Sequence, residues 1–176
     1  IFVEDNAFPE SLARPYLSAA RKLGFELTVH ADQFSVGGSK LAVEMGAFSA
    51  DHLEASGENE IKALASSDVI SVALPGASLG LGMQFTPARK LLDAGASLAI
   101  ATDWNPGSAP MGDLLVQTSL LGVYEKLTAA ELLAGITFRA AQALNLKDRG
   151  RLAIGERADM IAFSLKDYRE IFYHQG

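Results

Sequence analysis

His30, His52 and Asp103 lie at the ends of short apolar runs, in the stretches Val29-His30-Ala31-Asp32-Gln33, Ser49-Ala50-Asp51-His52-Leu53-Glu54 and Thr102-Asp103-Trp104-Asn105-Pro106-Gly107. A neutral imidazole can bind a divalent metal or polarise a carbonyl, and a carboxylate can hold a metal and take a proton from water. Hydrolysis is the chemistry that such a set suits. Polar residues that end successive strands of a parallel α/β fold gather on one face, the face on which such folds place their active sites.

Around these three, several residues have two readings. Asp32 either orients His30 or caps the following helix, and Gln33 is either a substrate contact or a solvent-facing loop residue. Asp51 and Glu54 read as orienting or solvated carboxylates. After Asp103, the turn fixed by Pro106 presents the Asn105 amide, the Gly107 N–H and the Ser108 hydroxyl, a set that suits a substrate carboxylate. The competing reading is a plain Asn-Pro-Gly turn. Trp104 either walls the pocket or packs. Ser78 to Met83 holds Gly80 and Gly82 without a full dinucleotide fingerprint, and is expected to be a flexible loop rather than a phosphate cradle. His174 is expected at the surface.

The elements that must position these residues follow from hydrophobic periodicity. Strands are expected over residues 1–3, 25–29, 47–50, 69–74 and 97–101, and the last four begin 22, 22 and 28 residues apart. That is the spacing of βα units and favours a parallel sheet. Helices are expected over residues 9–23, closed by Gly24, and over 38–45, 58–65 and 87–94, the last capped by Thr86 and closed by Gly95. Three further helices are expected over 111–124, 128–135 and 137–144, with Thr128 and Glu131 forming a capping box. From Gly150 the sequence turns Gly-rich and strand-like.

Composition narrows the function classes. The chain has 176 residues, 49% of them hydrophobic, enough for a sizeable core. Its formal net charge of -6 offers no basic surface for nucleic acid. With no cysteine, thiolate metal sites and disulfides are excluded, so any metal must be held by imidazole and carboxylate. No apolar run approaches the roughly 18 residues of a bilayer span, and a soluble cytoplasmic protein is expected. Five strands cannot close a (β/α)8 barrel, which takes eight strands and about 250 residues. The fold expected is therefore α/β, the second half of a (β/α)8 TIM-type barrel comprising about strands 4 to 8. Residues 1–149 form the partial barrel, and residues 150–176 a C-terminal β segment returning to a small sandwich domain. Ile1 falls inside a strand-like run, which fits a fragment.

Five stretches together resemble the imidazolonepropionase family of the amidohydrolase superfamily. They are His30-Ala31-Asp32-Gln33 followed by Gly37-Gly38, Ser49-Ala50-Asp51-His52-Leu53-Glu54, Leu74-Pro75-Gly76-Ala77, Ala101-Thr102-Asp103-Trp104-Asn105-Pro106-Gly107, and Gly150-Arg151-Leu152 with Gly155-Glu156-Arg157-Ala158-Asp159. The resemblance implies hydrolysis of 4-imidazolone-5-propanoate to N-formimidoyl-L-glutamate in histidine degradation. It further implies that His30 and Asp103 ligate one zinc or iron ion and that Asp103 also acts as the base. Gln33 would contact the imidazolone ring and His52 its carbonyl, while Asn105, Gly107 and Ser108 would bind carboxylates. A homodimer is implied as well. Some family members carry Glu at the position of Gln33, and the loop from Ser78 to Phe85 lacks the aromatic and Arg residues of many relatives.

The superfamily's His-x-His pair is not among these residues, since no two of the three histidines are two apart. The 176 residues alone are expected to be inactive unless an N-terminal half is supplied. Two other readings remain: a deaminase or another cyclic amidase of the superfamily, and a non-catalytic half-barrel that binds carboxylates.

Overall fold

Aliphatic side chains dominate the last two strands, Ile70–Ala73 and Leu98–Ile100, because they fit a sheet covered on both faces, while the strands Thr28–Ala31 and Ser49–His52 mix alanine and valine with polar residues. In the computed structural model, which describes residues 1–173, the strands are β1 (Phe2–Val3), β2 (Thr28–Ala31), β3 (Ser49–His52), β4 (Ile70–Ala73) and β5 (Leu98–Ile100). They pair in chain order as one parallel sheet. Parallel neighbours require a crossover, and helices supply each one. These are α1 (Glu10–Lys22), α2 (Gly38–Met45), α3 (Glu58–Ala65), and then α4 (Pro75–Gly80) with α5 (Ala88–Asp93). All four residues of β4 are buried.

After β5 come α6 (Leu114–Glu125), α7 (Ala129–Ile136) and α8 (Phe138–Ala143), and near the end a 3₁₀ turn over Tyr168–Phe172. Gly24 and Gly46 stop α1 and α2 with positive φ, as a C-terminal glycine should. Thr128 and Glu131 close the expected capping box on α7. Leu41, Leu64, Leu91, Leu98, Ile100 and Leu121 are fully buried between helices and sheet. Each such side chain stabilises the fold by about 1.5–3 kcal/mol over its exposed state. Among the described residues no helix is long and apolar enough to cross a membrane.

Four local expectations are corrected. Residues 78–80 are not a flexible loop: Pro75 sits at the first position of α4, where its missing N–H costs nothing. Gly80 is required there, because a Cβ would stand 1.8 Å from the Ser108 carbonyl oxygen. Thr86 does not cap α5; its hydroxyl donates instead to the His52 carbonyl, 2.5 Å away across 34 residues. The helix expected from residue 111 starts at Leu114, capped by the Asp113 carboxylate on the Val116 N–H. The segment from Gly150 to Phe163 forms no strand and pairs with none of the five. Its apolar side chains Leu152, Ile154 and Ile161 are exposed. His174 lies outside the described residues.

Candidate active site

All five strands run the same way, so their carboxyl ends share one edge of the sheet. Three of them leave it through a non-glycine residue with positive φ: Asp32 (φ 53) after β2, His52 (φ 83) and Leu53 (φ 72) at the end of β3, and Asp103 (φ 52) after β5. Left-handed backbone at such residues costs of order 1–3 kcal/mol and concentrates at functional sites. The ends that hold the candidate residues are thus the ends that carry strain.

His30 lies within β2, opposite Asp51 in the register, while Ala31 lies opposite His52. The two imidazoles come together, ring centroids 4.3 Å apart, and Phe2 stacks on His30 at 4.0 Å. Burial between these rings, with His52 adding to it, pulls the His30 pKa from its ordinary 6.5 down to about 4. The unfolded chain takes up this proton near pH 6.5 and the folded ring only near 4. Between those values protons favour the unfolded chain. The metal-free chain is therefore expected to lose stability as pH falls from about 6.5 to about 4, with this contribution flat below 4. Thermal melts over that range check it; an equal loss in His30→Asn would assign the change to other groups.

Two buried carboxylates organise the loop after β2. Asp32, fully buried, accepts from the backbone N–H groups of Gly37 (3.0 Å) and Ser39 (3.1 Å) and from the hydroxyls of Ser39 and Ser56. Its role is therefore that of a cap for α2. Glu4, at the end of β1, was not among the expected residues. Its carboxylate accepts from the N–H groups of Gln33 (2.7 Å), Phe34 (3.3 Å) and Ser35 (2.8 Å) and from the Ser35 hydroxyl. Its Oε1 also lies 3.3 Å from His30 Nε2. Burial acts to raise the Glu4 pKa, but the Ser35 hydroxyl and the three N–H donors outweigh it and hold the carboxyl below its ordinary value. The signal that finds His30, a polar residue ending an apolar run, applies equally to Glu4. Gln33 is buried rather than solvent-facing.

His52 Nδ1 faces Glu54 Oε2 across 3.7 Å, and Glu54 Oε1 accepts from the Ser78 hydroxyl at 2.8 Å. Asp51 turns to a different partner, the Ser49 hydroxyl at 2.7 Å, and burial pushes its pKa up. A cavity of about 630 Å³ opens beside Glu54 and Ser78 between α4, α5 and the end of α6, but neither His30 nor Asp103 lines it. The candidate residues His30, His52 and Asp103 lie near the strand ends, outside the lining of that cavity.

Beyond β5, Asp103 is partly exposed and sits close enough to Asp51 for its charge to act on that carboxyl. The turn that follows is closed on itself. Asn105 Oδ1 accepts from the N–H groups of Gly107 (2.9 Å) and Ser108 (2.8 Å), and Asn105 Nδ2 donates to the Asp103 carbonyl at 2.6 Å. Asn105, Gly107 and Ser108 are brought together as expected, but their donors are engaged within the turn. Trp104 is exposed and lies over Gly112.

His30 Nε2 is buried and makes no hydrogen bond of regular geometry, its Glu4 neighbour standing 3.3 Å away; a neutral imidazole nitrogen of this kind is one that a divalent ion takes. The donor chemistry of His30 and Asp103 fits such an ion. Ligand number does not, because among the described residues no group of three His, Asp or Glu side chains converges to hold one.

Residues 4–175 match the amidohydrolase family. Over its full length the chain is 46% identical to the imidazolonepropionase of Deinococcus deserti and 43% identical to that of Myxococcus xanthus, covering 44% and 42% of those proteins. The chain thus spans less than half the length of these relatives. Among solved structures, an adenosine deaminase from Xanthomonas campestris with bound zinc superposes with a TM-score of 0.73 at 23% identity, over 86% of this chain and 40% of that one. Atrazine chlorohydrolase from Arthrobacter aurescens complexed with zinc gives 0.74 at 21% identity, over 93% and 43%. Those two likenesses bear on the fold. With its parallel sheet, both strand-end histidines and Asp103 inside the matched stretch, the chain belongs to the amidohydrolase family.

Proposed function

We propose that this chain is the carboxyl-terminal half of a (β/α)8 barrel and carries the substrate-binding and proton-transferring side of a cyclic-amide hydrolase acting on 4-imidazolone-5-propanoate. The observation that carries the reading is the strained set of strand ends: His30 and His52 in ring contact, with Asp103 on the same edge of the sheet. Similarity along the entire chain to proteins named imidazolonepropionase points the same way. Open edges at β1 and β5 and the exposed Phe2 suit a barrel completed by further strands.

In this reading His30 and Asp103 would contribute two ligands to one zinc or iron ion, with the remainder coming from residues outside this chain. A bound divalent ion supplies acidified water and polarisation of the ring carbonyl. The chain's own residues do the rest. Asp103 takes the proton from the attacking water and returns it to the ring nitrogen as the C–N bond breaks. His52 hydrogen-bonds the carbonyl oxygen on which charge develops. Gln33 contacts the ring, and Asn105, Gly107 and Ser108 hold the propionate once the turn releases its internal bonds.

Substrate profiling of the complete gene product tests the reading. Hydrolysis of the imidazolone is expected with kcat/KM at least about 100-fold above that for adenosine or other nucleobase substrates, a ratio that a carboxylate-holding site can supply. The 176 residues alone are expected to give no turnover. Comparable or faster deamination of a nucleobase would replace this reading with a deaminase, and turnover by the isolated chain would refute the half-site arrangement.

A further inference from the structure

Glu4 does more than fill space at the end of β1. Its carboxylate sits in a nest of three successive N–H groups, those of Gln33, Phe34 and Ser35, with the Ser35 hydroxyl as a fourth donor. One oxygen, Oε1, takes the Gln33 N–H and also lies within 3.3 Å of His30 Nε2. The atom that holds the loop therefore also stands beside the imidazole. On the other side of Gln33, Asp32 ties the same loop to the start of α2 and to Ser56. Gln33 lies between two buried anchors, itself 4% exposed, so its backbone has no room to drift.

We propose that Glu4 is a positioning residue for catalysis: it locks the loop of residues 33–35 to β1 and so sets where the Gln33 side chain meets the substrate ring. The inference rests on the ring contact proposed for Gln33, and deepens it by naming what holds that residue. Carboxylate is required at this position, not merely a polar group. A glutamine at residue 4 has one accepting oxygen, and in either orientation its NH₂ would face a donor, Gln33 N–H in one and the Ser35 N–H and hydroxyl in the other. A loop freed by that clash shifts the contact, and small misplacements of a positioning group cost up to about 100-fold in rate.

The test is a double-mutant cycle in the complete gene product, read in kcat/KM for the imidazolone, with amide hydrogen exchange of residues 33–35 alongside. Glu4→Gln and Gln33→Ala are each expected to lower kcat/KM by about 10- to 100-fold, and the double variant to fall no more than about threefold below the weaker single. Exchange at residues 33–35 should quicken at least about tenfold in Glu4→Gln while the amides of β4 keep their rates. Ser35→Ala, a milder change that removes one donor, should give a smaller loss that is also absorbed by Gln33→Ala. Losses that multiply in the double variant would reduce Glu4 to a structural role and overturn the proposal. So would a silent Glu4→Gln beside an impaired Gln33→Ala. A silent Gln33→Ala would instead remove the ring contact itself, and with it this part of the proposed function.

Discussion

Asp103→Asn in the complete gene product is expected to lower kcat by about a thousandfold or more, with KM for the imidazolone moving less than about threefold. The amide is nearly isosteric, so the turn held by Asn105 Nδ2 on the residue 103 carbonyl, a main-chain contact, is left intact. What is lost is basicity. An asparagine cannot accept the proton of the attacking water, nor return one to the leaving nitrogen, and both transfers are assigned here to one carboxylate. The fall should therefore appear in kcat rather than in substrate binding. Steady-state kinetics at several pH values check this. A drop of less than tenfold would show that another group serves as base and would remove Asp103 from the proton path.

The second large effect concerns stability. Asp32→Ala is expected to destabilise the fold by about 3 to 5 kcal/mol, measured by urea denaturation. Asp32 is wholly buried and satisfies four donors: the N–H groups of Gly37 and Ser39 and the hydroxyls of Ser39 and Ser56. Alanine leaves all four without a partner and opens a small void beside β2. Asp32→Asn keeps the volume and one acceptor, so it should lose less. A loss below about 1 kcal/mol in Asp32→Ala would mean that water replaces the carboxylate at these donors, and that the loop does not depend on it.

The pattern of strands was legible because burial on both faces demands aliphatic runs, and crossover geometry spaces them at βα intervals. β3 and β4 fall within the expected stretches or within two residues of them, whereas β2 begins at Thr28, three residues later than expected. Helix ends were legible where a single residue type dictates the backbone. Gly24 and Gly95 are examples, since left-handed φ excludes most side chains, and the Thr128–Glu131 box is another, since its partners are three residues apart. The places of His30, His52 and Asp103 near strand ends were legible, and Asp32 proved to be the cap that one of its two readings made it.

Partnerships across the chain were not legible. Glu4 ends an apolar run as His30 does, yet its donors stand 29 to 31 residues away, and a lone carboxylate carries no mark of them. Thr86 precedes Pro87 and a helix, a capping position by local rules, but a carbonyl 34 residues back claims its hydroxyl. Glu54 and Asp51 read alike in sequence; Asp51 shares a face of β3 with Ser49 and accepts from it, while Glu54, beyond the positive-φ residues His52 and Leu53, faces the imidazole. The sequence by itself determined the parallel α/β class, the strand-end residues and the family, because these depend on periodicity and short motifs. Only the tertiary structure decided which carboxylate serves which partner, because that depends on which strand ends lie side by side once the sheet has formed.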